Sequence, residues 1–455
     1  HRIQAVESGP KRGIVRVERD WGDVHLVTAY TLVQGDNVVH VATTMTHAGT
    51  QPYDEISPGY TLYLKGGYMF TPPGLNGIKQ GPADEALTWS FIGYDEQWAI
   101  ALHAPYVQSI DHFGQDMFGR ISLQPGESKT IQAWLQLCPH SSIAEILRFE
   151  MEQRNLKPGT IQGRVTDDAG SPVDQPYIVV EQQGHPLTWC QGSQGRYALQ
   201  LPEGSYTIQA TAKHYAQSAS EDVSIRPGQT LEKDFFGLES PAQISFQTRD
   251  SQDQTPVDAR ISIEKGPTPV IGFLGQSRYF TDLERIGYAS FSLPPGSYLF
   301  HVSHGAGFIS QPKEVQIDLQ AKENRHLDID IQLMVRPWKQ GWFAADLHHH
   351  GDVLDGVTPP DGVLRSELAA GLDFAFLSDY DSNKKNDHMA LLADKRGMPF
   401  IPAMEISPAW GHFNVYPVTS SAELGIDPGS STAGEIFDEA RKLEAEVIVV
   451  NHPYS

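Results

Sequence analysis

The chain has 455 residues, with 34 Lys+Arg against 56 Asp+Glu and a net charge of −22: room for several domains, and the wrong sign for gripping a nucleic-acid backbone. Hydrophobic residues make up 40%, enough to build cores, yet no unbroken apolar run reaches the ~18 residues of a transmembrane segment. Two cysteines, Cys138 and Cys190, exclude a disulfide framework and a cysteine-based zinc site. From the start, residues 12–48 alternate in short runs broken by Trp21-Gly22-Asp23 and Gly35-Asp36-Asn37, which is strand–turn–strand writing. Further strands are predicted at 61–64, 88–91, 99–103 and 130–137, and a helix at 142–154 with Ser142 as its cap. Lys157-Pro158-Gly159 reads as a linker, so residues 1–157 are expected to be a β-sandwich ending in a helix.

A repeat follows. Leu201-Pro202-Glu203-Gly204-Ser205-Tyr206 recurs 92 residues later as Leu293-Pro294-Pro295-Gly296-Ser297-Tyr298, each copy lying between predicted strands. Pro-x-Gly makes the tight turn and the Tyr begins the returning strand. With Gly163-Arg164-Val165-Thr166-Asp167 opening the first copy, this region resembles the carboxypeptidase regulatory-like β-sandwich, over 160–238 well and over 239–335 less well. Domains are therefore expected at 158–238 and 239–335. The first domain resembles the galactose-mutarotase supersandwich through Tyr30-Thr31-Leu32, Gly35-Asp36 and Val39-His40-Val41.

Near Arg336-Pro337 the pattern changes to short apolar strands alternating with amphipathic helices. Strands are predicted at 341–347, 373–377, 400–403, 413–418 and 447–450, with helices at 359–370, 386–396 and 432–444. That is α/β writing, in which chemistry collects at strand ends. The run at 447–450 reads as a buried parallel strand, and from it the native chain is expected to continue past Ser455; the start at His1 suggests a removed leader or an internal piece.

Six of the 18 histidines fall in 336–455, five of them at predicted strand ends or just after. Alternation on a strand puts Asp346, His348 and His350 on one face and His349 on the other. Two imidazoles at i and i+2 can grip one cation, with Asp346 orienting a ligating His through its second N–H. Asp379, Glu405 and His452 follow at later strand ends, with His412 seven residues after Glu405. Together they point to a metal.

The motifs Asp346-Leu347-His348-His349-His350, Ser378-Asp379-Tyr380-Asp381-Ser382, Pro402-Ala403-Met404-Glu405-Ile406-Ser407 with Gly411-His412-Phe413-Asn414, and Asn451-His452-Pro453 resemble those of the PHP (polymerase and histidinol phosphatase) superfamily. Their order, spacing and preceding β-sandwiches are most similar to its carbaryl-hydrolase-like branch. The resemblance implies a multidomain protein: β-sandwich accessory domains, then, at 336–455, a distorted α/β (β/α-barrel) PHP-type domain, incomplete at its C-terminus. It implies two or three divalent ions, of which one to two, zinc or manganese, are expected here, with His348 and His350 on the first, Glu405 bridging, and His412 and His452 on the second. Asp355 stands where a third site would draw an acidic ligand, while Tyr380 replaces the histidine that site uses. Asp379 is expected to accept the nucleophile's proton and Tyr380 to donate to a leaving group or oxyanion. His388 either reaches the pocket or caps its helix; Trp410 either walls an aromatic pocket or packs in its loop.

The reading is a metal-dependent hydrolase of an aryl ester or carbamate ester. A phosphoesterase is one alternative, and a non-enzymatic glycan- or partner-binding β-sandwich protein with a degenerate barrel is another. Expected partners are small-molecule substrates, not nucleic acid; the accessory modules favour a periplasmic or extracellular location over the cytoplasm.

Overall fold

Alternation of inward and outward side chains builds most of this molecule as antiparallel sheet. In Val38–His47, for example, Val41, Thr43, Met45 and His47 are buried and their neighbours less so. The computed structural model describes residues 2–64, 66–70, 81–82, 90–111, 116–353, 356–419 and 423–453; part of the strand predicted at 88–91 lies outside them. The chain divides into two compact units, His1–Ser240 with Pro269–Leu274, and Pro241–Thr268 with Gly275–Ser455.

The first unit opens with an eight-stranded sheet in the order Arg2–Ser8, Arg12–Trp21, Val24–Val33, Val38–His47, Ser128–Cys138, Ala99–His103, Phe91–Tyr94 and Tyr68–Phe70. Val41, Phe91, Leu102, Met117 and Ala133 form a core of this region. The helix Ala144–Gln153 follows, two residues shorter than predicted at its start. Ile143, not Ser142, is its N-cap, because Ser142 Oγ is drawn to the carbonyl of Trp189 at 3.4 Å. Leu147 and Met151, four apart on the helix, pack into the next sandwich beside Ile161, Ile178, Leu199 and Ile208.

That sandwich stacks the strands Arg196–Leu201, Gly159–Asp167 and Thr230–Glu232 against His185–Gln191, Tyr177–Gln182, Gly204–Thr211 and Glu221–Ile225. The second unit begins with a similar pair of four-stranded sheets around Phe246, Ile261, Phe300 and Ile331. The repeated turn has one geometry in both copies: Tyr206 OH donates to Pro202 O at 2.9 Å, and Tyr298 OH donates to Pro294 O at 2.7 Å. Each phenol thus closes the turn that precedes it.

Beyond the sandwiches, Ala375–Leu377 pairs in parallel with Phe400–Pro402, and the helices Pro360–Ala369 and Asn386–Lys395 supply Val363, Leu364, Met389 and Ala393 to the core around it. A three-stranded sheet follows, ordered Met404–Ile406, His412–Tyr416, Val447–Asn451. The helix Ala433–Lys442, started by a Thr432–Glu435 capping box, lays Ile436 and Ala440 on it. Two expectations change here. Residues 341–347 form no strand, and Val447–Asn451 runs antiparallel to His412–Tyr416 with Val447, Val449 and Val450 exposed. An apolar run alone does not distinguish a parallel from an antiparallel partner. Among the described residues the pieces do not close into a barrel.

Candidate metal centre

Glu405 is fully buried in the middle of Met404–Ile406. Its N–H donates to Asp379 O at 3.1 Å and its carbonyl accepts Asp381 N–H at 2.8 Å, which sets Tyr380 beside it as a parallel bridge. On the other side the antiparallel register places Asn414 opposite Glu405 and Asn451 opposite His412. Backbone pairing thus brings three sequence motifs to one carboxylate.

Four imidazoles surround that carboxylate. His348 Nε2 and His350 Nε2 lie 3.1 and 2.9 Å from Oε2, while His412 Nδ1 and His452 Nε2 lie 3.3 and 3.4 Å from Oε1. Asn451 Nδ2 donates to Oε1 at 2.7 Å. Burial pushes the Glu405 carboxyl up, but hydrogen bonds from His350 and Asn451 and the neighbouring imidazoles outweigh it, and hold it down at about 2.

These residues fit a cation. A carboxylate offers about four lone-pair positions, and four N–H groups plus an amide would overfill them. His348 Nε2 and His350 Nε2 also face each other at 3.1 Å, so both cannot carry hydrogens pointed inward. Around one ion with bonds near 2 Å, tetrahedral ligand atoms lie about 3.3 Å apart, which is the spacing seen here. Ligand atoms of His348, Glu405 and His452 all fall within 4.8 Å of one another.

The remaining expected residues distribute unevenly. Tyr380 enters the cluster, its ring centroid 4.3 Å from His350 and 5.2 Å from His412. Asp379 is buried and accepts Gly351 N–H at 2.6 Å, clasping the loop that follows His350; burial pushes its carboxyl up, against that hydrogen bond. Asp346 departs from expectation. Its Oδ2 meets His349 Nε2 at 3.1 Å rather than orienting His348 or His350, because residues 341–347 are not a strand; the expected alternation holds for the histidines, with His348 and His350 toward Glu405 and His349 toward Glu367. His388 is exposed on the helix Asn386–Lys395. Trp410 is 52% exposed, packs edge-on against Phe413 at 5.5 Å and donates to Ser431 O at 3.2 Å. Asp355 lies outside the described residues.

Sequence reasoning passed over three residues. Asn451 holds Glu405 directly; its place just before His452 was the available signal. Asn414 Nδ2 donates to Leu347 O at 2.6 Å, fixing the backbone just ahead of His348. Glu367 Oε1 accepts His349 Nδ1–H at 2.8 Å and Phe376 N–H at 2.9 Å, and nothing near it in sequence announces that role. Asp381 and His452 have positive φ, 48° and 26°, backbone strain of the kind that gathers at functional sites.

Comparison with known proteins gives a domain and a partial likeness. Residues 160–236 match the carboxypeptidase regulatory-like domain. The chain is 35% identical over 83 residues to a 3',5'-nucleoside bisphosphate phosphatase of Chromobacterium violaceum, covering 18% of this chain and 28% of that protein. It therefore spans little more than a quarter of the curated relative's length. Among solved structures it is similar to a streptococcal ancillary pilin (10% identity, TM-score 0.27, covering 54% of this chain and 81% of that one). It is also similar to a GH36 alpha-galactosidase of Geobacillus stearothermophilus (13% identity, TM-score 0.22, covering 36% and 30%). Likeness at that level says nothing about function.

Proposed function

We propose that residues 336–455 carry a divalent-metal-dependent hydrolase site of the PHP type, acting on a phosphoester. One observation carries the reading: four imidazoles converge on a single buried carboxylate within ligand-to-ligand distance. Oε2 faces His348 and His350, and Oε1 faces His412 and His452, so the carboxylate would serve two ion positions, one to each histidine pair. Ions held there, zinc or manganese, would supply a water activated near neutral pH and a positive field for a developing anion. The chain's own residues do the rest. Asn451 keeps Glu405 turned toward both histidine pairs. Tyr380, whose ring lies beside those of His350 and His412, would donate its phenol O–H to a leaving group or oxyanion. Asp379, tied to Gly351, holds the loop after His350 in place.

The likeness to a nucleoside bisphosphate phosphatase supports phosphoester over the ester or carbamate expected first. The carbon-ester reading stands second because Tyr380 replaces a metal-binding histidine of the resembled family and Trp410 offers an exposed aromatic face. Metal analysis of the purified protein, then an aryl-phosphate and aryl-ester panel with added zinc or manganese, tests both. Metal bound with turnover of aryl phosphate is expected; turnover of aryl ester alone would reverse the order. Bound metal with no turnover of either would leave a metal-stabilised scaffold.

A further inference from the structure

Within the second unit, away from Glu405, a cavity of about 470 Å³ opens between the sheet carrying Arg260 and Arg278 and the segment carrying His349 and Glu367. Arg260 lies opposite Phe280 and Arg278 opposite Ser262, so both guanidinium groups project from one face of the sheet, two positions apart. Neither has a carboxylate or side-chain hydrogen-bond partner among the described residues. In a chain of net charge −22, two arginines side by side without an acid are unusual. Arginine in a concave site commonly binds carboxylate or phosphoryl oxygens through paired N–H groups.

The acids of the opposite wall already have a partner. His349 bridges Asp346 at 3.1 Å and Glu367 at 2.8 Å, so neither carboxylate is free to meet the arginines. Glu367 is 1% exposed, and its Oε2 has no hydrogen-bond partner. A buried oxygen left so is costly unless something supplies a donor. The cavity therefore combines two arginines without an acidic partner, an apolar ring in Phe280 and, on the far wall, a carboxylate oxygen that favours a guest carrying its own O–H donor. Its volume suits a small organic guest.

We infer that this cavity binds a small organic oxyanion, held by Arg260 and Arg278 through carboxylate or phosphoryl oxygens, separately from the metal centre. The test uses full-length protein carrying Glu405→Gln, which disables the metal centre, titrated calorimetrically with inorganic phosphate and with succinate. Binding of at least one probe is expected, weakened about tenfold or more by adding Arg260→Gln and Arg278→Gln. Both arginines are exposed, so the fold survives their loss, and Arg278→Gln alone should give an intermediate affinity. The probe that binds tells phosphoryl from carboxylate recognition. No binding of either probe to the Glu405→Gln protein, or equal binding with and without the arginines, overturns the inference.

Discussion

Among the described residues three buried glutamates hold histidines, and two of them, Glu150 and Glu405, do so in opposite ways. In the first unit Glu150 lies on the helix Ala144–Gln153 and takes one imidazole, His103 Nδ1 at 2.7 Å, one hydroxyl, Ser90 Oγ at 2.7 Å, and one guanidinium, Arg154 at 3.3 Å. The other ring nitrogen of His103 meets Gln136 at 3.0 Å. Each nitrogen there has its own neighbour, and the network is closed. Glu405 instead faces four imidazole nitrogens, two of them turned on each other. Burial and a His–Glu pair are thus common to a structural network and a candidate reactive centre; the surplus of nitrogen lone pairs belongs to one. Counting donors against acceptors separates them where residue type does not.

The sharpest way to break this contrast is Glu405→Gln. The amide keeps the shape and removes the charge that would offset the two proposed cations, so the proposed hydrolytic rate should fall by about three powers of ten or more, each worth about 1.4 kcal/mol. Steady-state kinetics with added metal would show it, and an unchanged rate defeats the bridged centre. Tyr380→Phe should lower kcat about 10²-fold while metal content stays intact; loss of metal instead would make the phenol a ligand. Binding of a divalent ion should stabilise the fold, by about 2.7 kcal/mol at a hundredfold excess over Kd, read as a rise in Tm that a chelator reverses. Glu150→Gln should cost about 2 kcal/mol in denaturant unfolding yet leave metal content and rate as they were, because its partners are structural. A change in bound metal there would erase the contrast. The smallest effect concerns the thiols: burial pushes Cys138 and Cys190 up to about 12, so both should resist alkylation at pH 8 until the protein is unfolded, as a thiol-reagent time course would show.

Much of this was legible in the residues. Turn chemistry located both repeats, since Pro-x-Gly-Ser-Tyr encodes a local geometry that needs no distant partner. Strand-end positions and the motif resemblance together single out His348, His350, Glu405, His412 and His452, and the structure brings their side chains together. What sequence did not carry was pairing. Whether Val447–Asn451 meets its neighbour parallel or antiparallel depends on a strand more than thirty residues away. Alternation separates His349 from His348 and His350 as expected, but it does not place Asp346 once residues 341–347 leave the sheet, and Asp346 pairs with His349. Asn451 and Glu367 act only through residues that folding brings to them, and no local pattern marks such a role.

The short segment Pro269–Leu274 is counted with the first unit although its flanks belong to the second. Ile271 and Leu274 are buried there against Trp189, Tyr94 and Phe70. Anyone cutting the gene at Ser240 to obtain the regulatory-like half would therefore discard two side chains of its core, each worth about 2–5 kcal/mol when removed. A soluble fragment calls for a graft: residues up to 240, with a tethered copy of 269–274 returned in trans or by a linker. Homologous recombination between relatives at that junction would face the same penalty, so the two halves should be inherited together.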